Sequence, residues 1–203
     1  MNIRKLLMLL LTCFLLTSMA SVQKKLIVLG DSISEGYGVS KESAYPALLE
    51  KKINLETKTK YQVVNAGVSG STTASALGRM KWLIKQKPEF IVLFLGANDG
   101  LRGLKLEDTQ KNLAMAIEYA QKQKVKIILG GLYMPPNYGK EYTEKFKQIY
   151  IKLAAKYKIP FIPFILDKVA GDPKYNLADG IHPNEEGHKI IANTIFQAIQ
   201  SLL

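Results

Sequence analysis

Four short apolar runs, at 26–29 (Leu-Ile-Val-Leu), 61–65 (Tyr-Gln-Val-Val-Asn), 90–95 (Phe-Ile-Val-Leu-Phe-Leu) and 125–129 (Val-Lys-Ile-Ile-Leu), recur along the chain with longer stretches between them. Three of them stop at a glycine: Gly30, Gly96 and Gly130. Such runs lack the in-out alternation of a half-exposed strand, so they read as strands covered on both faces, which is the pattern of a parallel sheet. The intervening stretches predict helices near 43–53, 73–86, 107–123, 141–157 and 184–201. This βαβα alternation leaves few folds open. It predicts one three-layer α/β domain with right-handed crossovers, with ligands at the carboxyl ends of the strands.

Local chemistry marks several boundaries. Ser43 is expected to cap a helix with Pro46 in its first turn, Glu107 or Asp108 to open another, and Asn184 with Glu185 and Glu186 to start the last. Acidic and capping side chains at those positions satisfy free N–H groups. No linker, internal repeat or change of composition follows residue 21, so the remainder reads as one domain.

The first twenty residues stand apart. Arg4 and Lys5 precede an apolar run from Leu6 to Leu16, and Ser18 and Ala20 supply small residues for cleavage before Ser21. This is the pattern of a secretory signal peptide at 1–20, with the domain at 21–203 and a periplasmic or secreted destination. An uncleaved anchor is the competing reading, but the run is shorter than the roughly 20 residues a span requires. Lipidation at Cys13 is disfavoured by Thr12 before it and by the apolar run continuing past it.

Removal of that segment leaves 183 of 203 residues, takes away the single Cys, and lowers the formal charge from +11 to 26 basic less 17 acidic, or +9. A mature chain without cysteine has neither a disulfide framework nor a thiolate metal site. The basic balance does not point to nucleic acid. The lysines are scattered (Lys51, Lys58, Lys85, Lys122 and others), with no Arg-rich or aromatic-interleaved stripe. They read as a solvated surface, or at most as attraction to an anionic lipid surface.

The strand-end rule directs attention to four small, polar segments. Gly30-Asp31-Ser32 follows the first strand, Asn65 to Gly70 the second and Gly96-Ala97-Asn98-Asp99 the third, while Asp179-Gly180-Ile181-His182-Pro183 precedes the last helix. Together they offer a hydroxyl, amide donors and an acid–base pair. Ser32 can project its hydroxyl from a turn, with His182 placed to take its proton. Asp179, three residues before His182, can hold the other ring nitrogen and stabilise the imidazolium. The backbone N–H groups of Ser32 and Gly70 and the side-chain amide of Asn98 are candidate donors to an oxyanion. Of the two histidines, His188 lies beside Lys189 in the last helix and is expected at the surface.

Taken singly these segments are common. In this order, at successive strand ends, they resemble the four blocks of the GDSL or SGNH hydrolases: Gly30-Asp31-Ser32 with Ile33-Ser34, then Gly70, then Asn98 in Gly-Ala-Asn-Asp, then Asp179 and His182. The likeness runs from about Leu26 to Asn184 and is greatest to the periplasmic thioesterase I, lysophospholipase and arylesterase branch. It implies a three-layer α/β/α sandwich around a mostly parallel five-stranded sheet, flavodoxin-like in form. It also implies a Ser32–Asp179–His182 triad, an oxyanion hole of Ser32, Gly70 and Asn98, and no cofactor. The segment Leu132-Tyr133-Met134-Pro135-Pro136 departs from the pattern expected of that branch, so acyl-length preference does not carry over.

Tyr133, Met134, Pro135 and Tyr138 form an apolar, turn-rich segment suited to lining an acyl groove, or to covering a core edge. The stretch from Gly100 to Leu106 reads as a mobile lid or as a plain surface loop. Asp31 and Asp99 offer, with Asp179, no spacing for a metal site, and Asp31 and Asp99 are expected to stabilise loops. The glycines at 67 and 70 lack the Gly-Lys-Ser/Thr of a phosphate loop. The functional expectation is therefore an exported, monomeric serine esterase acting on a small-molecule acyl ester, thioester or lysophospholipid. A carbohydrate O-acetylesterase and a catalytically silent binding module are the alternatives.

Overall fold

The computed structural model describes residues 23–203, so the expected signal segment at 1–20 lies outside the described residues. Five parallel strands, β1 (Lys24–Gly30), β2 (Tyr61–Gly67), β3 (Phe90–Phe94), β4 (Lys126–Gly130) and β5 (Phe161–Ile162), form one sheet in the order β2-β1-β3-β4-β5. The registers Leu26↔Val63, Val28↔Val92 and Val92↔Ile128 align the carboxyl ends of the central strands. Every residue of β3 is buried, as are Leu26 to Leu29 of β1. Continuous apolar runs there are what two helical layers demand.

One layer is α2 (Tyr45–Glu56) packed on α7 (Glu185–Ile199). The other is α3 (Ala76–Leu83), α5 (Leu106–Lys122) and α6 (Lys140–Tyr157). Two short helices, α1 (Ser32–Glu35) and α4 (Ala97–Leu101), start directly after β1 and β3. With this strand order the chain reverses its direction of winding between β1 and β3, and the crevice of such a sheet opens there. Ser32 and Asn98 flank that point.

The structure adjusts several boundaries. The expected helix at 73–86 is broken into a 3-10 turn at Thr73–Ser75, α3, and a second turn at Ile84–Gln86. Its start is held by Asp99, whose carboxylate accepts from the Thr73 backbone at 2.9 Å and from the Thr73 hydroxyl. The cap of α2 is Ala44 rather than Ser43, whose hydroxyl donates instead to Glu185 at 2.9 Å. Lys105 is the cap of α5, with Glu107 and Asp108 inside its first turn. Asn184 does cap α7, accepting from Glu186 and Gly187. The two-residue β5 between Pro160 and Pro163 has too few residues to show periodicity in the sequence.

His188 is the main correction. It is fully buried, its Nδ1 accepts from the Tyr45 backbone at 3.2 Å, and its ring lies on the Tyr45 ring at 6.0 Å. The reason is helical spacing. His188, Ile191, Ile195 and Ile199 follow one another at three- and four-residue steps, so all four lie on the α7 face turned to the core. Burial lowers the imidazole to about 4, against the opposing charge of Glu185.

Candidate active site

Ser32 is the first residue of α1, and Asp31 caps that helix by accepting from the Ile33 N–H at 3.1 Å. The turn from β1 into α1 is tight enough that α1 lies against both strand-end glycines. A Cβ on Gly30 would meet the Ser34 hydroxyl at 1.9 Å, and one on Gly67 would meet the Glu35 backbone nitrogen at 2.1 Å. Asp31 is itself buried, with Oδ2 lacking a hydrogen-bond partner among the described residues. Desolvation raises its carboxyl to about 6, against the Ile33 N–H and the charges of His182 and Arg79.

The structure brings together the hydroxyl, imidazole and carboxylate singled out in the sequence. Ser32 Oγ lies 2.9 Å from His182 Nε2, and His182 Nδ1 lies 2.7 Å from Asp179 Oδ2. With Nδ1–H donating to the carboxylate, Nε2 is free to accept from the serine hydroxyl. Asp179 Oδ1 accepts from the backbone N–H groups of Ile181 and His182, both at 2.9 Å. Those two bonds, the His182 one foremost, together with the bond from the His182 ring, lower Asp179 to about 2. The carboxylate is thus ionised throughout the neutral range. The Tyr37 ring covers His182, with centroids 4.5 Å apart.

Gly70 and Asn98 come from the neighbouring strand ends. The loop before Gly70 is held by Val68 N–H on the Gly30 carbonyl at 3.2 Å, and by Glu35, which accepts from both the N–H and the hydroxyl of Ser69. Gly70 itself has φ +73°, a conformation that a side chain would strain. The Asn98 amide donates to the Ser71 carbonyl at 3.1 Å. Asp99, buried behind it, also accepts from Thr109 at 3.3 Å and so ties α4 to α5. Asp31 acts within its own turn whereas Asp99 joins the Thr73 turn and α5 to α4, and among the described residues no group of three His, Cys, Asp or Glu could hold a metal ion.

An apolar cavity of about 470 Å³ opens beside these groups. Its lining includes the sequence neighbours of the polar residues: Ile33 after Ser32, Ala97 before Asn98, and Gly180 and Ile181 between Asp179 and His182. Of the four residues expected to line a groove, Tyr133, Met134 and Pro135 border it. Tyr138 does not, because its hydroxyl is drawn to the Leu101 carbonyl at 3.0 Å and its ring to Tyr142. Leu132 and Pro136, from the segment that departs from the branch's pattern, also border it, and Leu101, Phe164, Leu166, Ala170 and Gly171, which the sequence does not single out, complete the wall. Adjacency to the polar segments was a signal for Ile33, Ala97 and Ile181, whereas Phe164 and Leu166 follow a strand too short to be read. The stretch from Gly100 to Leu106 is divided between the end of α4, a turn at Arg102 and Gly103, and the start of α5. A second cavity of about 440 Å³, beside Phe90, Lys126 and Pro160, lies at the opposite end of the sheet.

Comparison with known proteins follows the same outline. The model of the GDSL-like Lipase/Acylhydrolase family matches residues 28–190. "Thioesterase 1/protease 1/lysophospholipase L1" of Escherichia coli is 37% identical over 190 residues, covering 93% of this chain and 89% of that protein. "Esterase TesA" of Pseudomonas aeruginosa is 39% identical over 194 residues, 95% and 96% of the two chains. Among solved structures, a crystal structure of TesA superposes with a TM-score of 0.85 at 38% identity, covering 89% of this chain and all of that one.

Proposed function

The chain belongs to the GDSL-like lipase/acylhydrolase family and is a carboxylic ester hydrolase, and from that premise we propose a mechanism and a substrate class. His182 removes the Ser32 proton as Oγ attacks the acyl carbonyl, and Asp179 stabilises the imidazolium that results. The oxyanion is received by the N–H groups of Ser32 and Gly70 and by the Asn98 amide. His182 then protonates the leaving alcohol or thiol, and an acyl-Ser32 ester remains. Water attacks that ester with His182 again as base, which releases the acid and returns the hydroxyl to Ser32.

The observation that carries this reading is the unbroken pair of hydrogen bonds from Ser32 through His182 to Asp179 beside an apolar cavity. The cavity favours acyl chains over acetyl groups, since an acetyl group would leave most of its about 470 Å³ unfilled. Acyl esters, thioesters and lysophospholipids are the substrates proposed, with the names of the Escherichia coli and Pseudomonas aeruginosa relatives as support. The reading includes export with removal of residues 1–20, a monomer, and transient contact of the +9 domain with anionic lipid. Among the described residues no helix is long and apolar enough to cross a membrane.

The test is a panel of p-nitrophenyl esters from two to sixteen carbons, with acyl-CoA and lysophospholipid, run on the wild type and on Ser32→Ala. Turnover in Ser32→Ala should drop by on the order of 10⁴ or more, and a fluorophosphonate should label the wild type only. Wild-type hydrolysis by the purified variant would remove Ser32 from the mechanism. Turnover of acetyl esters alone would remove the acyl cavity from it.

A further inference from the structure

We propose that Arg102 is a positioning residue for the oxyanion hole, acting on both donors that lie outside the Ser32 turn. Its guanidinium Nη2 donates to the Gly70 carbonyl at 3.2 Å and to Asn98 Oδ1 at 3.2 Å. Asn98 and Arg102 stand four residues apart at the two ends of α4, on one face of the helix, with the Arg102 N–H closing onto the Asn98 carbonyl at 3.2 Å. The pair grips the loop from one side: Arg102 takes the Gly70 carbonyl and Asn98 takes the next carbonyl, that of Ser71.

Two consequences follow for the donors. An asparagine amide has a donor end and an acceptor end of nearly equal shape, and only one orientation stabilises an oxyanion. With Oδ1 against the guanidinium and Nδ2 against the Ser71 carbonyl, both ends are matched. Rotating the amide by half a turn would set oxygen against oxygen and nitrogen against guanidinium. Arg102 therefore selects the orientation that leaves the second amide N–H for the substrate. Gly70, at φ +73°, has no side chain to fix its peptide, and among the described residues beyond its chain neighbours the one atom within 4 Å of an added Cβ is Arg102 Nη2, at 3.4 Å. Both bonds come from the one planar Nη2, whose two N–H groups are fixed in direction, whereas a lysine ammonium on its flexible stem holds no such pair of directions.

This inference rests on the acyl-Ser32 reading, so its test includes Ser32→Ala. The measurements are kcat and KM on p-nitrophenyl butyrate, a neutral ester, and on lysophosphatidylcholine, for Arg102→Ala, Arg102→Lys, Asn98→Ala, Asn98→Ala with Arg102→Ala, and Ser32→Ala. Loss of a whole oxyanion donor costs about 10²–10³ in kcat. Arg102→Ala should lower kcat on butyrate by roughly ten- to a hundredfold and leave KM within about twofold, because the donors act in the transition state. Arg102→Lys should stay below the wild type. In the double variant the two losses should fall well short of multiplying, which a role in stability alone would not produce. Millimolar guanidinium should restore part of kcat to Arg102→Ala, whose melting temperature should remain near that of the wild type. The proposal is overturned by an unchanged kcat, by losses that multiply, or by a change confined to KM for lysophosphatidylcholine, which would make Arg102 a phosphate ligand. Activity in Ser32→Ala would defeat the acyl-serine reading instead, whereas an inactive Ser32→Ala beside a fully active Arg102→Ala defeats only the role of Arg102.

Discussion

Two buried titratable groups of opposite sign, Asp31 and His188, should leave the pH dependence of stability nearly level and so conceal each other. Folding moves Asp31 from 3.8 to about 6, because its charged form is desolvated. As the pH falls, the folded chain binds this proton before the unfolded chain does, so stability rises between about 6 and 3.8. Above pH 6 the buried charge costs the full difference, about 3 kcal/mol at 1.36 kcal/mol per pKa unit. Folding moves His188 the other way, from 6.5 to about 4. Here the unfolded chain binds the proton first, so stability declines between 6.5 and about 4, again by about 3 kcal/mol. Across that window the two trends oppose and are of similar size.

Removing one group should expose the other. Asp31→Asn keeps an oxygen for the Ile33 N–H and loses the ionisation, so its stability should decline steadily from pH 6.5 to 4. His188→Asn keeps an acceptor for the Tyr45 N–H, and its stability should rise over the same interval. Each replacement also carries a constant cost, a buried amide in one case and lost packing in the other. That offset does not alter the slope. Urea unfolding followed by far-ultraviolet circular dichroism at pH 4, 5, 6 and 7.5 measures it, and is preferable to fluorescence because Trp82 is 63% exposed. Profiles of both variants running parallel to that of the wild type would refute the assignment of these shifts to burial. In Asp31→Asn the gain at pH 7.5 relative to pH 4 should approach 3 kcal/mol, at about 2–4 °C of melting temperature per kcal/mol in a domain this size.

Three further outcomes are expected. Because Asp179 is held to about 2 and stays charged, kcat/KM should rise with slope one on its acid limb between pH 5 and 8, and should do so in Asp31→Asn as well; a flat profile would exclude a histidine base. Gly67→Ala should unfold or largely inactivate the protein, since the new methyl would sit 2.1 Å from the Glu35 backbone in α1; a soluble, fully active variant by circular dichroism and butyrate hydrolysis would show that α1 can shift without moving Ser32. Ala170, exposed and on the cavity wall, can be enlarged: Ala170→Phe should reduce kcat/KM on octanoyl esters by on the order of tenfold while sparing acetyl esters, and equal losses on both would place the acyl chain elsewhere.

Most of the polar groups were legible because they are concentrated in four contiguous segments, three of them fixed to strand ends by chain connectivity and the fourth set just before α7. Ser32, Gly70 and Asn98 needed no knowledge of distances, only the rule that parallel strands deliver their carboxyl ends to one edge, and Asp179 was paired with His182 by its spacing of three residues. The failures have a common cause. His188 was placed by its neighbour Lys189, although the step to Ile191, Ile195 and Ile199 located it inside. Tyr138 was placed by its type, although its hydroxyl had a carbonyl within reach at Leu101. Arg102 falls inside the stretch read as a lid or a plain loop and carries no role there, because its role depends on two acceptors that meet only when β2 and β3 end level with each other on either side of β1.

The site therefore separates into what composition can specify and what only close approach can. The groups proposed to react are specified by residue type: a hydroxyl, an imidazole, a carboxylate and an amide. Their positions are set by residues with no chemistry at all, Gly30 and Gly67, whose missing side chains let α1 lie against the ends of β1 and β2. That close fit is also what buries Asp31, and it makes the about 3 kcal/mol carried by its carboxylate at neutral pH a consequence of where Ser32 must stand. A looser turn would hydrate Asp31 and relieve the strain on stability. It would also let Ser32 Oγ drift from the 2.9 Å contact with His182 on which the proton transfer depends.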